Sequence, residues 1–341
     1  MSKIKFITFT DVHISDTNPQ SRLGCYRDDI LDKLNMIGML GNKLGVDFFV
    51  CAGDMYNLKA PMRNSHLLNN MLINTFSRYK APLYMIEGNH DLTNDSYENF
   101  EKQPISVLYN SGAVNRLTGK TITIASKDDE NFKMNLRGFP FTEAPDLTDR
   151  KEYPLANSGV DLSVCAMHLY ATVNGGNLFK QKLYSYEDIA QLKDDIFVLG
   201  HYHVDQGVEV VGSQHFINVG AVSRGSLSHD NIKRIPKVCV VTCTKENNQI
   251  TTETQVVKLK VRPASEVFIL EEKEKEEKKM KEAEAFVAHL KDAVTSKDDI
   301  EGTEGFINKL KSENVDIENK VLKRVESYIQ EADIALKEIK K

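Results

Sequence analysis

The sequence predicts an α/β protein with a large antiparallel contribution in its second half, followed by a charged helical extension. Three observations lead there. Over residues 3–86 short apolar runs alternate with amphipathic stretches. Over residues 114–259 alternating strands and turn residues take over. Beyond Pro263 proline disappears and charge becomes dense.

Residues 3–10 form a short apolar strand, and a polar loop leads to an amphipathic helix over 27–44, with Ile30, Leu34, Ile37 and Leu40 at helical spacing. A second strand at 48–51 precedes a helix over 65–79 capped by Asn64 or Ser65, and a third strand at 83–86 follows Pro82. Strand, helix, strand, helix, strand is the order of a parallel sheet with helices on its faces. Strands at 121–125 and 132–136 flank a turn near 127–131, and buried strands resume at 162–167 and 197–199. A hairpin joins 208–211 to 215–219 through Gly212-Ser213, and strands at 238–243 and 251–259 complete the core.

The nine prolines all fall at or before Pro263, and residues 271–341 hold 15 basic and 19 acidic side chains among 71. The boundary is therefore placed between a core, 1–263, and a helical extension, 264–341. The extension reads as a long helix from residue 266 to 294 and two helical segments at 303–311 and 315–339. Ile317, Val321, Leu322, Val325 and Ile329 give it an apolar stripe suited equally to a solvated bundle or to docking on a partner.

At 341 residues, 41% apolar and 27% charged, the chain falls in the globular class. No apolar run approaches the ~20 residues that cross a bilayer, and the N-terminus lacks the apolar region and cleavage site of a signal peptide, so the expected location is the cytoplasm, with no membrane partner. Five cysteines at no framework spacing, mostly inside apolar runs, read as buried reduced thiols. The net charge of −5 argues weakly against a dedicated nucleic-acid binder, but 271–341 carries most of it. Two divalent ions would make the crevice positive.

Five segments carry chemistry, and each follows an expected strand: Asp11-Val12-His13, Gly53-Asp54, Gly88-Asn89-His90-Asp91, His168, and Gly200-His201-Tyr202-His203. In open α/β sheets, ligands sit outside the carboxyl ends of the strands, so five such loops can share one crevice. Any one segment is weak evidence, because a lone Asp-x-His is more often a turn or core feature. Their content is oxygen and nitrogen donors with no thiolate, which suits two divalent ions such as Mn²⁺, Mg²⁺ or Fe²⁺ rather than a closed structural zinc site. Paired ions of this kind commonly hydrolyse phosphoesters.

In order and spacing these segments resemble the five blocks of the calcineurin-like metallophosphoesterase superfamily. The resemblance implies a four-layer sandwich of mixed β-sheets flanked by helices. It also implies a role for each matching position. Asp11, His13, Asp54 and His203 would hold one ion; Asp54 as a bridging carboxylate, with Asn89, His168 and His201, would hold the second. His90 would sit over the phosphate and protonate the leaving oxygen, with Asp91 orienting it. Every ligand position is filled, which disfavours a non-catalytic protein-binding scaffold.

Within the superfamily, AGDMYNLKAPMRN and LGHYHVDQGV followed by INVGAVSRGS resemble blocks of the SbcD-type nuclease subunit of DNA double-strand-break repair complexes, with Val219-Gly220-Ala221 standing where that family has Pro-Gly-Ser. This implies a manganese-dependent DNA exonuclease or endonuclease in repair or recombination. An SMC-like ATPase partner would be bound through 264–341. A homodimer would form through the helix bearing Leu67, Leu68, Met71, Leu72 and Phe76. The alternatives are a phosphomonoesterase or a cyclic-nucleotide phosphodiesterase. Candidate DNA-backbone contacts are Arg22, Arg27, Lys59, Arg63 and Arg224, with Lys180 and Lys182 further along, while Tyr170 and Tyr202 suit either base stacking or packing.

Overall fold

The computed structural model describes residues 1–271 apart from 157–158 and 179–180. The strands, in chain order, are β1 (Ser2–Phe9), β2 (Phe48–Cys51), β3 (Leu83–Met85), β4 (Asn115–Arg116), β5 (Thr121–Ala125), β6 (Lys133–Phe139) and β7 (Leu162–Leu169). Then come β8 (Ala171–Thr172), β9 (Asn174–Leu178), β10 (Gln181–Ser185), β11 (Ile196–His201), β12 (Gly207–Val211), β13 (Gln214–Asn218), β14 (Lys237–Glu246) and β15 (Gln249–Lys258). One six-stranded sheet runs β15-β14-β1-β2-β3-β4 and a second runs β12-β13-β11-β7-β6-β5, with a small β8-β10-β9 sheet beside them. β1 to β4 are mutually parallel, as are β6, β7, β11 and β13, while β5, β12, β14 and β15 pair antiparallel with their neighbours.

Side chains alternate across a strand, and here both faces are apolar. Ile4 and Phe6 of β1 with Phe48 and Val50 of β2 meet Leu136, Val164, Ala166, Val198 and Ile217 of the second sheet, all buried. Ile7, Phe9, Phe49 and Cys51, one residue out of step, face α1 (Tyr26–Leu44), α2 (His66–Phe76) and α3 (Pro104–Asn110). On the far side, Cys165, Met167, Phe197 and Leu199 pack under α4 (Tyr186–Ala190). Helices, sheet, sheet and helix therefore form the four layers that the resemblance implies. The fifth helix, α5 (His229–Lys233), lies between β13 and β14 in the chain.

Helix α1 buries Ile30, Leu34 and Ile37, has Asp28 and Asp29 in its first turn, and ends at Gly45, whose φ of 62° lets its N–H return to the Gly41 carbonyl. Helix α2 is capped by Ser65, whose side chain accepts from the Leu68 N–H at 3.0 Å. It stops at Phe76 rather than residue 79, because Tyr79 turns inward, packs its ring 4.5 Å from that of Phe49 at a tilt and donates to the Leu34 carbonyl. The strands match the expected ones to within a few residues. Helices α3, α4 and α5 and the β8-β10-β9 sheet are too short to show a period in the sequence.

The expected helix over 266–294 is interrupted at Phe268, and its stretch beyond residue 271 lies outside the described residues. Helix α6 (Ala264–Val267) has a single turn, and Phe268 is extended at φ −129°, ψ 147° with its ring buried. Burying that aromatic ring outweighs continuing the helix, so the core extends past Pro263. The helical segments expected at 303–311 and 315–339 lie outside the described residues. All five cysteines are free thiols; four are buried as expected and Cys25 is exposed. Among the described residues no helix is long and apolar enough to cross a membrane.

Candidate metal centre

The parallel strands of both sheets end at one place. Asp11 and His13 follow β1, Asp54 follows β2, and Asn89 and His90 follow β3; His168 lies near the end of β7, His201 ends β11, and His203 follows it. Asp11, His13, Asp54 and His201 all have positive φ, at 53°, 46°, 55° and 80°. Four non-glycine residues in the left-handed region at one site is stored backbone strain, held by the strand ends on either side. Gly53, at φ 96°, has no such cost, and a Cβ there would lie 2.5 Å from His168 Nδ1, so only glycine lets the two sheets approach this closely.

Two sets of donor atoms result: Asp11, His13, Asp54 and His203, and Asp54, His168 and His201, each within 4.8 Å of one another. Asp54 Oδ2 lies 3.4 Å from both His13 Nε2 and His168 Nε2, between the sets. Asp11 Oδ1 is 3.5 Å from His203 Nε2, and the Nε2 atoms of His13 and His203 face each other at 2.9 Å. His168 Nδ1 donates to the Ala52 carbonyl at 2.6 Å, so the proton sits there and Nε2 points at Asp54 and, at 3.3 Å, at Asn89 Oδ1. Asp11, His13, Asp54 and His168 are buried, while His203 is exposed and marks the open side.

This constellation fits divalent cations. Asp54 Oδ2 and His13 Nδ1 are buried without a hydrogen bond among the described residues, and lone pairs converge from several directions. Burial raises the Asp11 carboxyl above the ordinary range, although His203 and His168 pull it down. Burial pushes His13 well down and, with the charge of His168, pushes His201 down to about 3, leaving both imidazoles neutral as ligation requires. Burial opposes charge at Asp54 and His168 too, yet each is overruled by the other: Asp54 is held below the carboxylate range by His168 and His13, and His168 rises to about 9. A site that raises an imidazole this far draws a cation to Nε2, and proton and metal compete for that lone pair.

A supporting layer holds the ligand loops, and no local pattern in the sequence announces it. Tyr26 donates from its hydroxyl to the His13 carbonyl at 2.9 Å. Arg234 donates to the carbonyls of His203 at 2.5 Å and Ser223 at 2.8 Å. Ser223 N–H donates to the Asp11 carbonyl and Val222 N–H to that of Thr10, so the INVGAVSR segment lies directly behind the first block.

Other expected residues take different places. Asp91 does not orient His90. Its buried carboxylate accepts from the N–H groups of Gly88 at 2.9 Å and Tyr56 at 3.0 Å and so ties two loops together, and burial with the charge of Asp54 raises it to about 8. The orienting partner of His90 is the Asn57 carbonyl, 2.8 Å from Nδ1. Arg22 and Arg224 are buried, so the placement of both on a DNA-contacting surface is corrected. Arg22 pairs with Asp29, and Arg224 donates to the Arg262 carbonyl. Arg27 pairs with Asp16 and Asp28, and Lys59 with Asp95, while Arg63 is exposed. Tyr170 packs its ring 3.8 Å from that of His201. Lys182 lies over the Tyr184 ring, and Lys180 is outside the described residues.

Among solved structures, the chain is similar to a 5′-nucleotidase precursor from Thermus thermophilus, at 12% identity and a TM-score of 0.46, over 75% of this chain and 54% of that one. It is also similar to a dimetal phosphatase from Danio rerio, at 15% identity and a TM-score of 0.47, over 76% of this chain and all of the other. A search of curated proteins returned no match. The profile of the calcineurin-like phosphoesterases matches residues 4–205, a span that runs from β1 past His203 and contains all five strand-end blocks. The chain therefore belongs to the calcineurin-like phosphoesterase family, the metal-dependent hydrolases of phosphoesters.

Proposed function

We propose that the chain hydrolyses DNA phosphodiesters as the nuclease subunit of an assembly with an SMC-like ATPase. The observation that carries the hydrolytic part is the filled donor set with His90 beside it. Asp11, His13, Asp54 and His203 would hold one ion and Asp54, Asn89, His168 and His201 the other; nitrogen and oxygen donors without thiolate favour Mn²⁺, then Mg²⁺ or Fe²⁺. Such ions, when bound, polarise the phosphoryl oxygens and make a nucleophile of water near neutral pH.

The chain's own residues do the rest. His90 donates its backbone N–H to Asp54 Oδ1 at 2.7 Å and its Nδ1–H to the Asn57 carbonyl, which leaves Nε2 to hold and transfer a proton to the leaving oxygen. Its ring stands edge-on to that of His13, with centroids 4.7 Å apart. Tyr170 and Phe141, at 3.8 and 5.1 Å from the His201 ring, wall the site.

DNA as the substrate rests on the resemblance of the AGDMYNLKAPMRN and LGHYHVDQGV…INVGAVSRGS blocks to the SbcD-type subunit. Residues 264–341 are proposed as the attachment for the ATPase. A homodimer is proposed through α2, where Leu68, Leu72 and Phe76 are buried in the core but Leu67 is 54% exposed and Met62, just before the helix, 98% exposed.

A second reading, a phosphomonoesterase or cyclic-nucleotide phosphodiesterase, gains from one observation. Of the seven cations assigned to a DNA track, Arg22 and Arg224 are buried, Arg27 and Lys59 are paired with acids and Lys180 lies outside the described residues, which leaves the exposed Arg63 and Lys182 to meet a phosphate backbone. The test is hydrolysis of linear duplex DNA, single-stranded DNA, a phosphomonoester and a cyclic nucleotide with Mn²⁺. DNA cleavage is expected; turnover of the monoester or cyclic nucleotide alone would replace the nuclease reading with the second.

A further inference from the structure

Arg22 and Arg224 line a cavity of about 110 Å³ that Met36 of α1 and Val267 of α6 also line. Five cations surround it, Arg22, Lys33, Arg224, Lys260 and Arg262, against the carboxylates of Asp29 and Asp32. The floor is built: Arg22, Lys33 and Arg224 are 6%, 4% and 4% exposed. Lys33 donates to the Val222 carbonyl at 3.0 Å, and among the described residues no carboxylate is paired with it. Asp29 is already shared by Arg22 and Arg262. Three N–H-bearing atoms of the floor, Nε and Nη1 of Arg22 and Nε of Arg224, are buried with no partner among the described residues.

Buried guanidinium N–H groups without an acceptor carry a desolvation cost even where the rest of the group is paired, and so does a buried ammonium whose acceptor is a carbonyl. Phe268, whose ring lies 5.1 Å from the Arg22 guanidinium and 6.0 Å from that of Arg224, covers part of their faces but accepts no N–H. Donors from three separate segments, the loop before α1, α1 itself and the stretch after β13, suit an acceptor with oxygens on several sides. That is a tetrahedral, multiply charged oxyanion rather than a planar carboxylate. We infer that this cavity is a binding site for a phosphate-type oxyanion, separate from the metal centre, with Arg22, Lys33 and Arg224 as its floor and Arg262 and Lys260 at its rim.

The site does not depend on the substrate proposed above. It does touch the metal centre through the backbone, because the Val222 that receives Lys33 donates its N–H to the carbonyl of Thr10, next to Asp11.

Calorimetric titration of inorganic phosphate into the full chain tests it, alongside Arg224→Met, Arg262→Gln and Asp54→Asn. The expected result is one saturable site that persists in Asp54→Asn and weakens about tenfold or more in Arg224→Met and Arg262→Gln, the loss of one charge-assisted interaction each. Arg262 is at the surface, so Arg262→Gln stays informative should Arg224→Met fail to fold. Competition by a 5′-phosphorylated dinucleotide, but not its unphosphorylated form, would assign the oxyanion to a nucleic-acid end, and competition by phosphate alone would assign it to a free ion. Loss of binding in Asp54→Asn with retention in Arg262→Gln would place the anion at the metal centre and overturn the inference. Absence of saturable binding to the unaltered chain would leave the cavity to water and overturn it as well.

Discussion

The Nδ1–H of His90 donates to the backbone carbonyl of Asn57 at 2.8 Å, while the backbone N–H of the same residue donates to Asp54 Oδ1 at 2.7 Å. One residue thus has two separable jobs, its ring facing the crevice and its backbone holding the carboxylate between the two donor sets. His90→Ala or His90→Gln removes the first and keeps the second. Hydrolysis should fall about 10²- to 10⁴-fold, with metal content by mass spectrometry and melting temperature nearly unchanged. Loss of metal together with activity would contradict this division.

Asp54 belongs to both donor sets, whereas the histidines belong to one each. Asp54→Ala should therefore empty both sites, and His168→Ala chiefly one. Metal per chain, measured after gel filtration, distinguishes the two variants. Chelation of the unaltered chain should lower its melting temperature, since a bound ion stabilises the folded state by mass action.

A Cβ at Gly88 would overlap the Asp54 carboxylate and its backbone nitrogen. Gly88→Ala should then act as a metal-site variant although it alters no donor. The expected outcome is weaker metal binding, with activity partly restored by raising the Mn²⁺ concentration; wild-type metal affinity would show that the loop yields without cost.

Asp91 satisfies two buried N–H groups, those of Gly88 and Tyr56. Asp91→Ala orphans both and should cost about 2–4 kcal/mol in denaturant unfolding. If orienting His90 were its role instead, activity would collapse while stability held.

Burial, followed by the charges of Arg224 and Arg22, lowers Lys33 from 10.5 to about 7; Asp29 pulls the other way and Arg234 adds to the lowering. A lysine whose folded pKa lies below its unfolded one binds more protons unfolded, so its contribution makes stability rise with pH between about 7 and 10.5. The slope contributed is at most about 1.4 kcal/mol per pH unit. Lys33→Met should flatten the dependence over that window, as read by chemical unfolding at several pH values. An unchanged profile would mean that Lys33 keeps its ordinary pKa.

Much of the centre was legible because its chemistry is local. Asp11-x-His13, Gly53-Asp54, Gly88-Asn89-His90-Asp91 and His201-x-His203 are short blocks after apolar runs, and strand ends in a parallel sheet face one side. The roles of Asp91, Arg22 and Arg224 were misread for the opposite reason. Each lies in or after a recognisable block, but what it bonds to is fixed by the fold: the Tyr56 N–H for Asp91, and the Arg262 carbonyl for Arg224.

The sequence by itself determined the strand and helix order of the core, the donor types and their placement at strand ends, since all of these follow from hydrophobic period and residue chemistry over a few positions. Only the tertiary structure decided that Asn57 rather than Asp91 fixes the His90 ring, that Arg22 and Arg224 are buried, and that Phe268 ends a helix to cover them. Those outcomes depend on which distant backbone carbonyls and ring faces come within a few ångströms when two sheets close, and no local periodicity encodes that.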